Sequence, residues 1–103
     1  MLDKKDYIAS VQAAVSLFHN CRALWHETVF VHEILNGQTA WHGNVEVFDL
    51  FGHPRAKRAY AWSHLDGEDG KHTGFVARLA IPPVNSPEAA VRFQIVKDAQ
   101  KAK

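Results

Sequence analysis

Cysteine is almost absent from this chain: one residue, Cys21, among 103. A single thiol excludes an intramolecular disulfide and the paired-cysteine zinc sites. No apolar run approaches the ~20 residues that cross a bilayer, and none has the layout of a signal peptide. A dominant charge is missing as well. Twelve Lys and Arg against 11 Asp and Glu leave a net charge of +1, which argues against a protein built mainly to neutralise nucleic-acid phosphates. There is no glycine-rich phosphate loop, no GxSxG elbow and no dinucleotide fingerprint. The chain has no repeat, no low-complexity segment and no linker. The expectation is a protein with no cofactor, no bound metal and no membrane span.

What remains is an ordinary globular composition, 47% hydrophobic and 22% charged, with enough chain for one core but not two. Residues 1–103 therefore read as a single domain. The polar, acid-containing start MLDKKDYIAS reads as the N-terminus of a cytoplasmic protein. Seven histidines are the one oddity, and they are scattered at positions 19, 26, 32, 42, 53, 64 and 72.

Asp3 is placed to cap a helix whose apolar residues Ile8, Val11, Val15 and Phe18 form one stripe, and that helix should end near His19-Asn20. A second helix opens at Ser86-Pro87-Glu88, with a capping serine, proline at the first helical position and an acid in the first turn. Ala89, Phe93, Val96 and Ala99 supply its inner stripe, and Lys97, Lys101 and Lys103 suit its C-terminal pole. Between the helices the pattern is that of strands. Residues 23–35 and 38–50 flank Asn36-Gly37, the strongest short hairpin signal because both turn residues need positive φ. After a break at Gly52-His53-Pro54, residues 57–65 and 73–81 read as two more strands around the acidic loop 66–71, whose oxygen spacing does not match a calcium loop. Pro82-Pro83 stops the last strand. The predicted fold is α+β: helix, four antiparallel strands, helix, with the two helices packed on one face of the sheet.

A two-residue turn pairs positions symmetrically about the Asn36-Gly37 bond. Leu24, His26, Thr28, Phe30, His32 and Ile34 then share the face under the helices, with Phe30 opposite Gly43 and His32 beside Trp41. The other face carries Trp25, Glu27, Val29, Val31, Glu33 and Leu35 opposite Phe48, Glu46, Asn44, His42, Ala40 and Gln38. Left uncovered, an apolar surface built on Trp25, Val29, Val31 and Phe48 is expected to meet a ligand or a partner chain.

The stretch WHETVFVHE superficially resembles a zinc-protease signature, but that motif needs two histidines one helical turn apart. Here His26 and His32 stand six residues apart on a strand, about 20 Å, and cannot hold one ion. The pairing of Glu27 with Glu46 is a sharper signal. Two carboxylates roughly 5 Å apart between β-carbons must splay outward into water or have a basic partner, a bound cation or one raised pKa. With His42 or His53 assisting, they are the candidate acid/base residues of a small enzyme.

Arg55, Lys57 and Arg58 precede Tyr60 and Trp62, and cations interleaved with aromatics suit single-stranded nucleic acid, where bases stack and phosphates pair. The same cations could instead neutralise the Glu27/Glu46 pair. Cys21 has Arg22 beside it, a neighbour that can lower a thiol pKa, yet no catalytic constellation surrounds it.

The segment Leu24–Trp62, through WHETV, NGQT-W-G, VEVFDL and GHPRAKRAYAW, resembles small bacterial proteins of about a hundred residues, some of them carried on mobile gene cassettes. That resemblance implies no assigned activity and transfers no catalytic residue. A looser likeness, to double-stranded RNA-binding domains, rests on the helix–strands–helix order. It is weakened by the fourth strand and by an acidic rather than basic start to the last helix. The leading reading is a binding or interaction module that self-associates, as a homodimer, with a small-molecule pocket or partner surface on the open sheet face. An acid/base enzyme is the alternative, and nucleic acid ranks last among partners.

Overall fold

The computed structural model describes residues 4–66 and 72–101. It contains α1 (Lys4–His19), β1 (Arg22–Leu35), β2 (Gln38–Phe51), β3 (Arg58–Asp66), β4 (His72–Leu79) and α2 (Pro87–Lys101). The strands form one antiparallel sheet in the order β1-β2-β3-β4. The α+β class and the helix–four strands–helix order are those the sequence predicts. The acidic loop and the capping position Asp3 lie outside the described residues.

The element ends follow from local chemistry. Asn20, at φ 50°, turns the chain left-handed after α1. The Cys21 amide then reaches back to the Ser16 carbonyl, the bond that closes a Schellman cap. Ser86 caps α2 by accepting the Ala89 amide on its hydroxyl at 3.1 Å, and Pro87 occupies the first helical position where no amide proton is needed. Asn36 (φ 54°) and Gly37 (φ 78°) make the hairpin turn with both residues left-handed, as a two-residue hairpin turn requires.

The layering departs from the expectation. The two helices lie on opposite faces of the sheet. Val11 and Val15 of α1 pack in one core with Ala23, Phe48, Leu50, Ala59 and Ala61. Ala90 and Val91 of α2 pack in a second core with Val31, Val45, Val47, Tyr60 and Trp62. Neighbouring residues of a strand point to opposite faces, so Val47 and Phe48, or Ala61 and Trp62, cannot serve the same core. The one-face prediction assumed that apolar residues would alternate with polar ones. In β2 and β3 both parities are apolar, which is the signature of a sheet buried on both sides.

Each helix is tied to its own face by polar contacts. The Tyr7 hydroxyl accepts the Ser63 amide at 3.1 Å, and Gln12 Nε2 donates to the Ala23 carbonyl at 2.6 Å. On the other side Arg92 Nε donates to Glu33 Oε1 at 2.6 Å. The helix stripes differ from the predicted ones as well. Phe18 is 53% exposed at the end of α1, whose inner side is completed by Tyr7 and Ala14. In α2 the buried side is Ala90 and Val91, with Gln94 and Ile95 half-buried, whereas Val96 and Ala99 are exposed.

Register in the first hairpin is interrupted twice. Ala40 has no partner on β1 and His26 has none on β2, so the pairing slips by one residue between them and then recovers. Each extra residue is a β-bulge, and each reverses which side chains face which helix. Thr28 thus lies opposite Glu46, Glu27 opposite Val47, Phe30 opposite Asn44, Val31 opposite Gly43 and Glu33 opposite Trp41.

Candidate ligand site beneath the second helix

The pairing of β2 with β3 covers only Glu46↔Ala61 to Asp49↔Arg58. Toward the Asn36-Gly37 turn, β2 continues with β1, while β3 continues with β4 through Trp62↔Val76 to Asp66↔His72. The sheet forks. Two indoles stand at this fork, Trp41 from β2 and Trp62 from β3, with ring centroids 5.5 Å apart and planes tilted by 58°. α2 lies across it. Between them is a cavity of about 240 Å³ lined by Trp41, Trp62, Val76, Val91, Gln94, Ile95 and Asp98.

Gly43 helps to place the first indole. A Cβ on this residue would stand 3.1 Å from Trp41 Cη2 and 3.3 Å from Cζ2, so the ring lies where a side chain at position 43 would go. An aromatic covering a glycine backbone is a recognised way to shield an exposed strand. The sequence reading paired Gly43 with an aromatic, but with Phe30 across the strand rather than Trp41 along it.

The polar groups at the cavity are ordered by one chain of hydrogen bonds. Arg78 donates to Gln94 Oε1 from Nε at 2.9 Å and from Nη2 at 2.5 Å. A guanidinium only donates, so the amide oxygen must face it and the amide nitrogen must face the other way. Gln94 Nε2 donates to Asp98 Oδ1 at 2.9 Å, one helical turn further along α2. Asp98 is exposed, which places it at the cavity's rim. Arg78 also stands over the Phe93 ring, with Cζ 5.1 Å from its centroid, and Lys97 Nζ lies 5.5 Å from the same ring. Among the described residues, the cavity lining holds no Ser, Thr, Cys, Lys, Tyr or His. Among the described residues no group of three His, Cys, Asp or Glu is arranged to hold a metal ion.

The predicted acid/base pair is not formed. Glu46 is 2% exposed on the α1 face, where its Oε1 accepts Trp25 Nε1 at 3.0 Å and the Thr28 hydroxyl at 2.5 Å. Glu27 is on the opposite face, its side chain 52% exposed and 3.7 Å from His26. The register slip that begins at Ala40 and is recovered only at His26 separates them. His42 is exposed across from His32, with ring centroids 6.3 Å apart, rather than beside the glutamates. Nδ1 of His53 accepts the amides of Arg55 and Ala56, both at 3.0 Å, so the ring closes its own loop.

The predicted contact surface is divided in the same way. Trp25 and Phe48 belong to the α1 face, Val29 and Val31 to the α2 face. Phe48 and Val31 are core residues, while Trp25 is 43% exposed beside Lys4, Lys5 and Ile8. The aromatic half of the nucleic-acid reading is also lost. Tyr60 and Trp62 are 5% and 3% exposed beneath α2, so neither ring is open on the outer surface to stack with an extended single strand. Arg58 is held by Asp49 at 3.2 Å, leaving Arg55 and Lys57 as the exposed cations of that stretch. Burial pushes the Cys21 thiol up from its ordinary value, opposite to the activation that Arg22 suggested.

Sequence reasoning missed the cavity because its walls are distant in the chain and the fork that joins them depends on where β2–β3 pairing stops. The spacing of Trp41 and Gly43 at i and i+2 was the one signal available. Comparison of the chain with protein families, with curated proteins and with solved structures finds no match. The site's own chemistry is therefore the basis for a functional reading.

Proposed function

We propose that this chain is a small binding domain whose ligand enters the cavity between α2 and the Trp41/Trp62 fork. The observation that carries this reading is a preformed hollow, walled by two tryptophans and three aliphatic side chains, with two polar groups on one side. Ligand sites usually combine apolar walls with a few convergent polar groups in this way. At about 240 Å³ the cavity is smaller than the ~300–1,000 Å³ typical of drug-sized ligands, so a compact molecule is the match. The proposal places the domain in the cytoplasm. No helix among the described residues is long and apolar enough to cross a membrane.

The test is a screen of compact fragments followed by the indole Nε1–H resonances. Ligand should move the signals of Trp41 and Trp62 and leave that of Trp25, on the other face, in place. A screen that moves only Trp25, or none of the three, removes the proposal.

Self-association is a second reading, and the hairpin favours it. Phe30 and Ile34 are large apolar residues on the edge strand β1 and are each 64% exposed. A second copy of the chain is the occupant proposed for this strip, giving a homodimer. Light scattering on the eluting protein should give twice the monomer mass, and a Phe30→Lys, Ile34→Lys double variant should return the monomer. A monomer in the unaltered protein at high concentration excludes it.

A further inference from the structure

We infer that the ligand of the α2 cavity is a compact organic cation, a quaternary ammonium or a protonated alkylamine. The inference rests on the binding role proposed above and concerns the chemistry of the same site.

Three features converge on this class. The first is the walls. Tryptophan has the most favourable ring face for a cation, and two indoles bound this one small volume. The second is charge. Of the seven lining residues Asp98 alone is ionisable, so the hollow has an acidic group at its rim and no basic group in its lining. An anion entering would lose hydration and meet a carboxylate. The third is the orientation of Gln94. Its oxygen is taken by two Arg78 nitrogens and its nitrogen is turned to Asp98. This fixes the carboxylate and leaves it as the anionic partner for whatever lies against the indoles.

The two nearby cations are turned to partners outside the hollow's indole walls. Arg78 directs two of its five N–H donors to Gln94 and lies over Phe93, and Lys97 stands by the same ring. Phe93 is not part of the cavity lining, so both positive groups are gathered on a different ring from the two that bound the hollow. A neutral planar ligand would find stacking surface but no use for Asp98. A nucleotide or flavin is excluded by size and by charge.

The experiment uses three molecules of nearly equal shape: choline, its neutral carbon isostere 3,3-dimethylbutan-1-ol, and the anion 3,3-dimethylbutanoate. Each is titrated into the full chain and into an Asp98→Asn variant, followed by the indole Nε1–H resonances and by calorimetry. Asp98 is exposed, so the variant is expected to fold, and its circular dichroism checks this. Choline should bind saturably, moving Trp41 and Trp62, at least about tenfold tighter than the alcohol, a ratio equal to about 1.4 kcal/mol. Asp98→Asn should weaken choline several-fold and leave the alcohol unchanged. Added salt should weaken choline too, since Asp98 is open to solvent. If alcohol and choline bind equally, or the butanoate binds best, the cation inference falls while the cavity remains a ligand site. If none of the three perturbs Trp41 or Trp62, and the wider fragment screen also leaves them unmoved, the binding role falls and the inference with it.

Discussion

Glu46 is the residue with most at stake in this chain. A carboxylate 2% exposed survives in a core because Trp25 Nε1 and the Thr28 hydroxyl both donate to it. Removing the acceptor deprives both part-buried donors of their partner, at a cost of about 1–3 kcal/mol in all. Glu46→Ala is expected to lose at least that much stability in urea denaturation. Glu46→Gln, which keeps an acceptor oxygen, should lose less, and Glu27→Ala, on an exposed side chain, should stay within about 0.5 kcal/mol. Equal effects at positions 27 and 46 would show that the two glutamates share one environment after all. Tyr60 makes a second residue-level prediction. Burial is the main reason its phenol is raised above the ordinary value of 10.0; Glu88 adds to the rise and Arg58 opposes it. The folded state thus holds that proton more tightly than the unfolded one, so stability is intact below pH 10 and falls as pH rises from there toward the folded value. Tyr60→Phe removes the titrating group, and its stability should fall less steeply over the same alkaline range. Identical slopes would place the tyrosine in water.

At the scale of elements, much was legible because local chemistry determines it. Ser86-Pro87 announced α2, Asn36-Gly37 announced the hairpin turn, and Pro82-Pro83 the end of strand-like sequence. The bulges were not legible. Nothing in Ala40 or His26 distinguishes an unpaired residue from a paired one, yet each reverses every face assignment beyond it. That is why Trp25 and Phe48 were correctly paired across the strands, outside both bulges, while Glu27 and Glu46 between them were not. The stripe of α2 was misplaced for a related reason. Phe93 and Val96 are more apolar than Gln94 and Asp98, but Gln94 and Asp98 are on the side that meets the fork. The Gly43–Trp41 contact gives this scale its test. A methyl at position 43 would sit 3.1 Å from the indole, so Gly43→Ala forces the ring to move by a few tenths of an ångström or more. The expected result is a folded protein with a shifted Trp41 indole resonance and weakened ligand binding. An unchanged Trp41 signal would mean that the ring does not rest on the glycine.

At the scale of the whole molecule, a chain of 103 residues carries two cores, one on each side of a single sheet. Length suggested one core, and length was a poor guide because a shared sheet serves both. The four consecutive residues Val45, Glu46, Val47 and Phe48 are all no more than 2% exposed, two facing each helix. Neither core can be built without β2 and β3, so neither helix has an independent folded partner. The two sides should therefore unfold together. The native fluorescence of Trp62 reports on the α2 core and that of Trp25 on the α1 face, so single-tryptophan variants separate the probes. Their urea midpoints should coincide with each other and with far-ultraviolet circular dichroism, the mark of an all-or-none transition. Val15→Ala, in the α1 core, and Val91→Ala, in the α2 core, each remove two methyl groups from a site no more than 1% exposed and should each cost about 1–3 kcal/mol. Because the cores share strands, each substitution should move both tryptophan transitions by the same amount. Were Val91→Ala to lower the Trp62 midpoint and leave the Trp25 midpoint where it was, α2 would be a separately melting layer. A cavity roofed by such a layer would open without unfolding the sheet.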